Sequence, residues 1–284
     1  MWVHSSRISR AGPPVVERVA SLPMYDLAAL RSATDSWWAG LAAHFRRAGV
    51  GAVPDRLTRP GEGAAFWLAP SLLFSQSCGY PLVTRLAGRV TLLGTPCYDM
   101  DGCDGSDYCS LVIVRADLPA REIADLRGLR CAINMAGSWS GHHALRLIAE
   151  PLVEAGRPAF ETSISGSHAA SIEAIRLGTA DFASIDCVSF GLLSRCRPQC
   201  ADGLRVLART PAMPGLPLIA GRGASEAEVR RMKRGLRAAF GDPALGSARD
   251  RLGLKAIHFT EMADYARLSE ALERLEDLHI PQLI

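Results

Sequence analysis

Apolar runs of strand length recur along this chain, and the segments between them carry apolar residues at steps of three and four. Val15–Leu22, Ser71–Gln76, Val90–Leu93, Cys109–Arg115, Leu129–Asn134, Glu161–Ser165, Asp181–Ile185 and Leu204–Thr210 read as strands. A short strand through Ala220 and a last one over Ala256–Phe259 follow. A helix is expected from about Leu27 to Ala48, closed by Gly49, with Leu30, Ala33, Trp37, Leu41, Phe45 and Ala48 on its apolar face. Further helices are expected over Ser167–Leu177, from Asp186 to about Arg195, after the capping box Ser225-x-x-Glu228, and over Met262–Leu278. Strands alternating with helices throughout predict an α/β protein with mostly parallel sheets.

In such sheets ligands sit beyond the carboxyl ends of the strands. The polar residues of this chain collect at those ends: Tyr25 and Asp26, Ser75 to Tyr80, Tyr108, Ser138 and Ser140, Ser165 to His168, and Asp186. The most informative exit is Asn134–Leu145. A Gly/Ser loop there follows a strand, and Leu145, Ile148 and Leu152 recur at helical spacing beyond it, so a helix is expected from near Ser140 with Pro151 kinking or ending it. Unpaired N–H groups at that helix start, with the hydroxyls of Ser138 and Ser140, suit an anion. The same serines also suit plain helix capping.

Composition removes several alternatives. The net charge of +3 is modest, which argues against nucleic acid as the main partner, and Lys occurs only at Lys233 and Lys255, so a G-x-x-x-x-G-K-S/T phosphate loop is impossible over the first 232 residues. No run approaches a membrane span, and Met1–Val16 lacks the apolar core of a secretory signal, which points to the cytoplasm. Eight cysteines without a C-x2-C pair read as free buried thiols, and no metal or cofactor is expected. An enzyme is a rival reading. Gly137-x-Trp-x-Gly141, however, centres on Trp139 rather than a serine nucleophile, and no H-E-x-x-H occurs.

Several exits together resemble one family, the PhnD-like substrate-binding components of phosphate, phosphite and phosphonate ABC importers. The matching segments are Ser21–Asp26, Ser75–Pro81, Leu92–Tyr98, Asp125–Gly128, Ser138–Gly141, Gly166–His168 and Ala183–Asp186, in family order. The resemblance implies a two-lobed type II periplasmic-binding-protein fold with an interlobe ligand cleft. Lobe one would span 15–110 plus 205–284 and lobe two 111–204, after an N-terminal tail over 1–14 expected to be disordered. The chain would cross near Tyr108–Arg115 and again near Arg205–Pro217. The resemblance further implies that Ser138, Ser140, Gly141 and nearby N–H groups hold phosphoryl oxygens. Tyr25, Tyr80 and Tyr108 would close from the other lobe, with His168 and Asp186 reading the rest of the ligand. Trp139, standing where relatives carry something small or polar, would fill part of the pocket or stack on the ligand. The implied partners are a small anion and an ABC permease, with the chain itself a monomer. By this resemblance the compartment would be the periplasm, the alternative to the cytoplasmic reading. A ligand-sensing effector domain is a further alternative on the same fold.

Overall fold

The computed structural model describes residues 17–59, 64–154, 156–277 and 279–283. The tail expected over 1–14 lies outside the described residues, as do the first two residues of the first expected strand. Among the described residues, ten strands build two five-stranded sheets. They are β1 Val19–Ala20, β2 Leu72–Gln76, β3 Val90–Tyr98, β4 Ser110–Arg115, β5 Arg130–Ile133, β6 Glu161–Ile164, β7 Phe182–Asp186, β8 Leu204–Arg209, β9 Leu218–Gly221 and β10 Leu254–His258. The first sheet has the order β1-β2-β9-β3-β10 and the second β6-β5-β7-β4-β8.

The sheets are mixed rather than mostly parallel. The β1–β2, β5–β6 and β5–β7 pairs are parallel. Strand β9 lies antiparallel between β2 and β3, β4 lies antiparallel between β7 and β8, and β10 runs antiparallel to β3. Connectivity explains this. Strand β4 is the first the chain enters on reaching the second sheet, and β9 the first on its return. Each starts at the end where its parallel neighbours finish, and so runs against them. Because β8 hydrogen-bonds within the second sheet, the return passage begins after Arg209. At the passage, Cys103–Asp104 and Asp107–Tyr108 form a hairpin joined by Met213–Pro214 from the returning chain.

Helix α1, Arg31–Arg47, buries Trp37, Trp38, Leu41 and Phe45 against the first sheet. The Trp38 ring stacks on Phe74 of β2 at 5.7 Å and Phe45 meets the same ring edge-on at 5.5 Å. Each such side chain removed from water contributes roughly 1.5–3 kcal/mol. Helices α2, His168–Arg176, and α3, Cys187–Cys196, follow β6 and β7. Helices α4, Glu226–Gly241, and α5, Ala266–Asp277, complete the first-sheet side. Ser225 caps α4 by accepting the Glu228 N–H, while the Glu228 carboxylate pairs instead with Arg18 at 2.6 Å.

The helix expected from Ser140 is much shorter than its apolar spacing suggests. Trp139–His143 forms one π turn, Ala144–Arg146 a single α turn, and Glu150–Leu152 a separate 3-10 turn. Pro151 stands in the last of these turns, and the far end of the chain packs over the segment. Residues 279–283 come back to the second sheet, where Leu283 is 1% exposed in its apolar cluster. Arg146 is buried beneath this strap and donates to the carbonyls of Ile280 at 2.7 Å and Pro281 at 2.9 Å. The His142 Nδ1–H donates to Ala136 O, and its Nε2 accepts the Leu283 N–H.

Candidate functional site

A cleft of about 600 Å³ opens between the exits of the two sheets. Pro23–Leu27 after β1, Cys78 and Tyr80 after β2, and Leu216 before β9 form one wall. Asn134–Ser138 and Ser140 after β5, Gly166–Ala169 after β6, and Asp186 with Ser189 at the end of β7 form the other. Of the nine residues singled out in the sequence, Tyr25, Tyr80, Ser138, Ser140, His168 and Asp186 line this cleft. Tyr108, Trp139 and Gly141 do not.

Each of those three has a definite place behind the wall. The Tyr108 hydroxyl hydrogen-bonds Ser140 from a buried position. Trp139 is 1% exposed within the main apolar core. Ser138 is extended, at φ −85° and ψ 129°, so the following side chain leaves the backbone on the opposite side and the indole turns inward. Gly141 donates its N–H to Ser138 Oγ at 3.1 Å. A Cβ at position 141 would lie 1.9 Å from Asn134 Oδ1 and 3.3 Å from His168 Cε1. Only glycine lets the turn pass this close to two residues of the cleft.

The polar groups form one connected set. Ser138 caps the π turn, and its hydroxyl lies 3.5 Å from that of Ser140. Ser140 Oγ lies 2.9 Å from His168 Nε2, and its carbonyl accepts the Ser184 hydroxyl at 2.6 Å. Burial lowers the His168 pKa to about 4, so the imidazole is neutral near pH 7. Among the described residues, neither His168 Nδ1 nor Asn134 Oδ1 has a hydrogen-bond partner, although both are buried.

Asp186 faces this set from the same sheet. Its Oδ1 accepts the Ser189 N–H at 2.7 Å, capping α3, and its Oδ2 accepts the Tyr25 hydroxyl at 3.0 Å. Burial pushes its pKa up to about 6, against the lowering pull of the Ser189 N–H and the Tyr25 hydroxyl. Burial and the neighbouring carboxylate push the Tyr25 phenol upward. Tyr80 lies over His143 with ring centroids 4.1 Å apart. Burial lowers His143 to about 3, so the imidazole in that stack is uncharged near pH 7. Asp26, at the mouth, is paired with Arg59 at 2.7 Å, and Arg85 supplies a cation to the lining.

Sequence reasoning passed over Asn134 and Ser189, although both stand at strand exits where the same rule applies. It also missed Arg146, whose partners lie more than 130 residues further along the chain. No local pattern reports such a contact.

A family model for the periplasmic substrate-binding protein of phosphonate ABC transporters matches residues 72–267. No curated protein matches the chain by sequence. Among solved structures, PhnD1 from Prochlorococcus marinus, in complex with methylphosphonate, is similar at a TM-score of 0.76 and 16% identity, over 93% of this chain and 99% of that one. A binding-protein component of an ABC phosphonate transporter from Pseudomonas aeruginosa gives a TM-score of 0.72 at 13% identity, over 92% and 88%. A Xanthomonas citri protein bound to chloride gives 0.68 at 17%, over 92% and 98%.

Proposed function

The chain belongs to the family of periplasmic substrate-binding proteins of phosphonate ABC transporters, and we propose that its cleft binds a small phosphonate, phosphite or phosphate-like oxyanion for delivery to an ABC permease. The observation that carries this reading is the convergence of Ser138, Ser140, Asn134 and His168 on one wall, with Tyr25 and Tyr80 opposite. Neutral hydroxyl and imidazole donors fixed by capping and burial suit a tetrahedral oxyanion, with the Arg85 guanidinium also in the lining. The raised Asp186 carboxyl fits beside an anion because it either carries a proton or accepts one, from a P–OH group or a ligand ammonium.

Binding rather than catalysis is the reading we adopt for the Ser140–His168 contact. Among the described residues no group orients His168 Nδ1, and an imidazole with a pKa of about 4 is a weak base for activating a hydroxyl. We further propose that two lobes close on the ligand, one of 15–110 with the chain after Arg209 and the other of 111–209, since β8 pairs within the second sheet instead of falling in lobe one as the resemblance implied. The protein would work as a monomer in the periplasm, without nucleic acid. Family membership supports that compartment over the cytoplasmic expectation. Among the described residues no helix is long and apolar enough to cross a membrane.

A thermal-shift panel of phosphate, phosphite, methylphosphonate, 2-aminoethylphosphonate, sulfate and malate tests the reading. A ligand at 100 times its Kd adds about 2.7 kcal/mol, so phosphorus oxyanions are expected to raise Tm and malate to leave it unchanged. A response to malate with none to any phosphorus compound contradicts the proposal.

A further inference from the structure

Three thiols converge where the chain passes between the sheets. Cys103 Sγ lies 3.6 Å from Cys187 Sγ, and Cys109 hydrogen-bonds Cys187 as well. The backbone holds them together: the Cys187 N–H donates to Cys109 O at 3.1 Å, and the Cys109 N–H to Gly102 O at 3.1 Å. Gly102, at φ +96°, makes the packing possible, since a Cβ there would lie 2.9 Å from Cys109 Sγ and 3.0 Å from Cys187 Cβ. Cys187 and Cys109 are 1% and 6% exposed, whereas Cys103 is only partly buried. One thiol of the cluster is therefore open to a reagent and the others are shielded.

We propose that Cys103 and Cys187 are a redox-active pair that forms a disulfide across this passage, tying the hairpin Cys103–Tyr108 to the first turn of α3. The position gives the bond a consequence, because Asp186 is the cap of that turn. The oxidant is a small or protein disulfide, the chemical class that an oxidising compartment supplies. The Cys103 thiolate attacks a sulfur of that disulfide and expels one thiol, leaving a mixed disulfide. Cys187, deprotonated by solvent, then displaces the second thiol and closes the Cys103–Cys187 bond. In total, two protein thiols are oxidised and one disulfide is reduced to two thiols. The sulfurs have to close from 3.6 Å to about 2.05 Å, which side-chain rotation at the partly exposed Cys103 supplies. The contact with Cys103 and burial raise the Cys187 thiol, so closure is expected to speed up with pH.

The test uses the intact folded protein, held with excess oxidised glutathione, quenched with N-ethylmaleimide, denatured, and cut with trypsin and an endoprotease that cleaves before Asp. The expected product joins the fragment Asp101–Cys103 to Asp186–Arg195. It should form several-fold faster at pH 8.5 than at pH 7, vanish in Cys103→Ser and persist in Cys109→Ser. Circular dichroism of the serine variants checks that each folds, and the wild-type map stands alone if one does not. Alkylation of both Cys103 and Cys187 after oxidant treatment overturns the proposal. So does a Cys187 link to the fragment Asp107–Arg115, which carries Cys109.

Discussion

Tyr25 and Asp186 join opposite walls of the cleft: the hydroxyl that follows β1 donates to the carboxylate that ends β7, at 3.0 Å. The other carboxylate oxygen is held by the Ser189 N–H. Asp186 is thus both a helix cap and the contact through which one wall senses the other.

The first prediction concerns pH. Burial raises the Asp186 carboxyl from its ordinary 3.8 to about 6 in the folded chain. Between those values the folded state holds a proton that the unfolded chain has released, so this group's contribution falls as pH rises. Above the window, ionised Asp186 costs ~2–3 kcal/mol. Asp186→Asn keeps an acceptor for the cap and never ionises. It is expected to stabilise the protein by about that amount at pH 7.5 and by little at pH 4. His168 and His143, lowered by burial to about 4 and 3, slope the other way, because the unfolded imidazoles take up protons first. The difference between variant and wild type isolates Asp186. Urea denaturation at the two pH values measures it, and an equal difference at both would contradict the assignment.

A second prediction concerns the strap. Truncation after His279 removes Leu283 from the second sheet's cluster and takes two carbonyl acceptors from the buried Arg146 guanidinium. A loss of roughly 3 kcal/mol or more is expected, since a buried charge is left short of partners. Arg146→Met should destabilise the truncated chain less than the full one. A double-mutant cycle by chemical denaturation measures this, and additive losses would show that Arg146 and the strap act independently.

The third prediction tests the close approach at Gly141. Gly141→Ala forces a methyl against Asn134 Oδ1, displacing Asn134 from the cleft at a cost of about 1–3 kcal/mol. Asn134→Ala in the same chain should recover most of that stability while leaving oxyanion affinity reduced. Thermal unfolding and calorimetry report the two effects separately, and full stability in the single variant would mean that the turn has another conformation available.

Much of this architecture was readable because strands and helices announce themselves by period and length. The exits carrying Tyr25, Tyr80, Ser138, Ser140, His168 and Asp186 were found from chain order, since polar residues at the end of an apolar strand have few other places to go. Strand direction was not readable. Nothing local in Leu218–Gly221 records that it inserts antiparallel between β2 and β3, because direction follows from where the chain re-enters the sheet. The spacing of Leu145, Ile148 and Leu152 suggested one continuous helix, yet these residues face a core that the distant strap helps to fill. Trp139 was misplaced for a related reason. Between two serines it looked like part of the pocket, and only the backbone geometry of the turn sends it into the core.

Calorimetric titration of methylphosphonate and phosphate into wild type and the Ser138→Ala/Ser140→Ala double variant asks whether the Ser138–Ser140 turn holds an oxyanion. Each charge-assisted hydrogen bond lost is expected to cost roughly 1.5–3 kcal/mol of binding. Loss of the Ser138 cap should separately lower stability by about 1 kcal/mol. Saturable one-to-one binding of at least one of these ligands to wild type is expected, weakened at least about tenfold in the variant. Equal affinity in the two proteins, or no binding of either ligand to wild type, would contradict it.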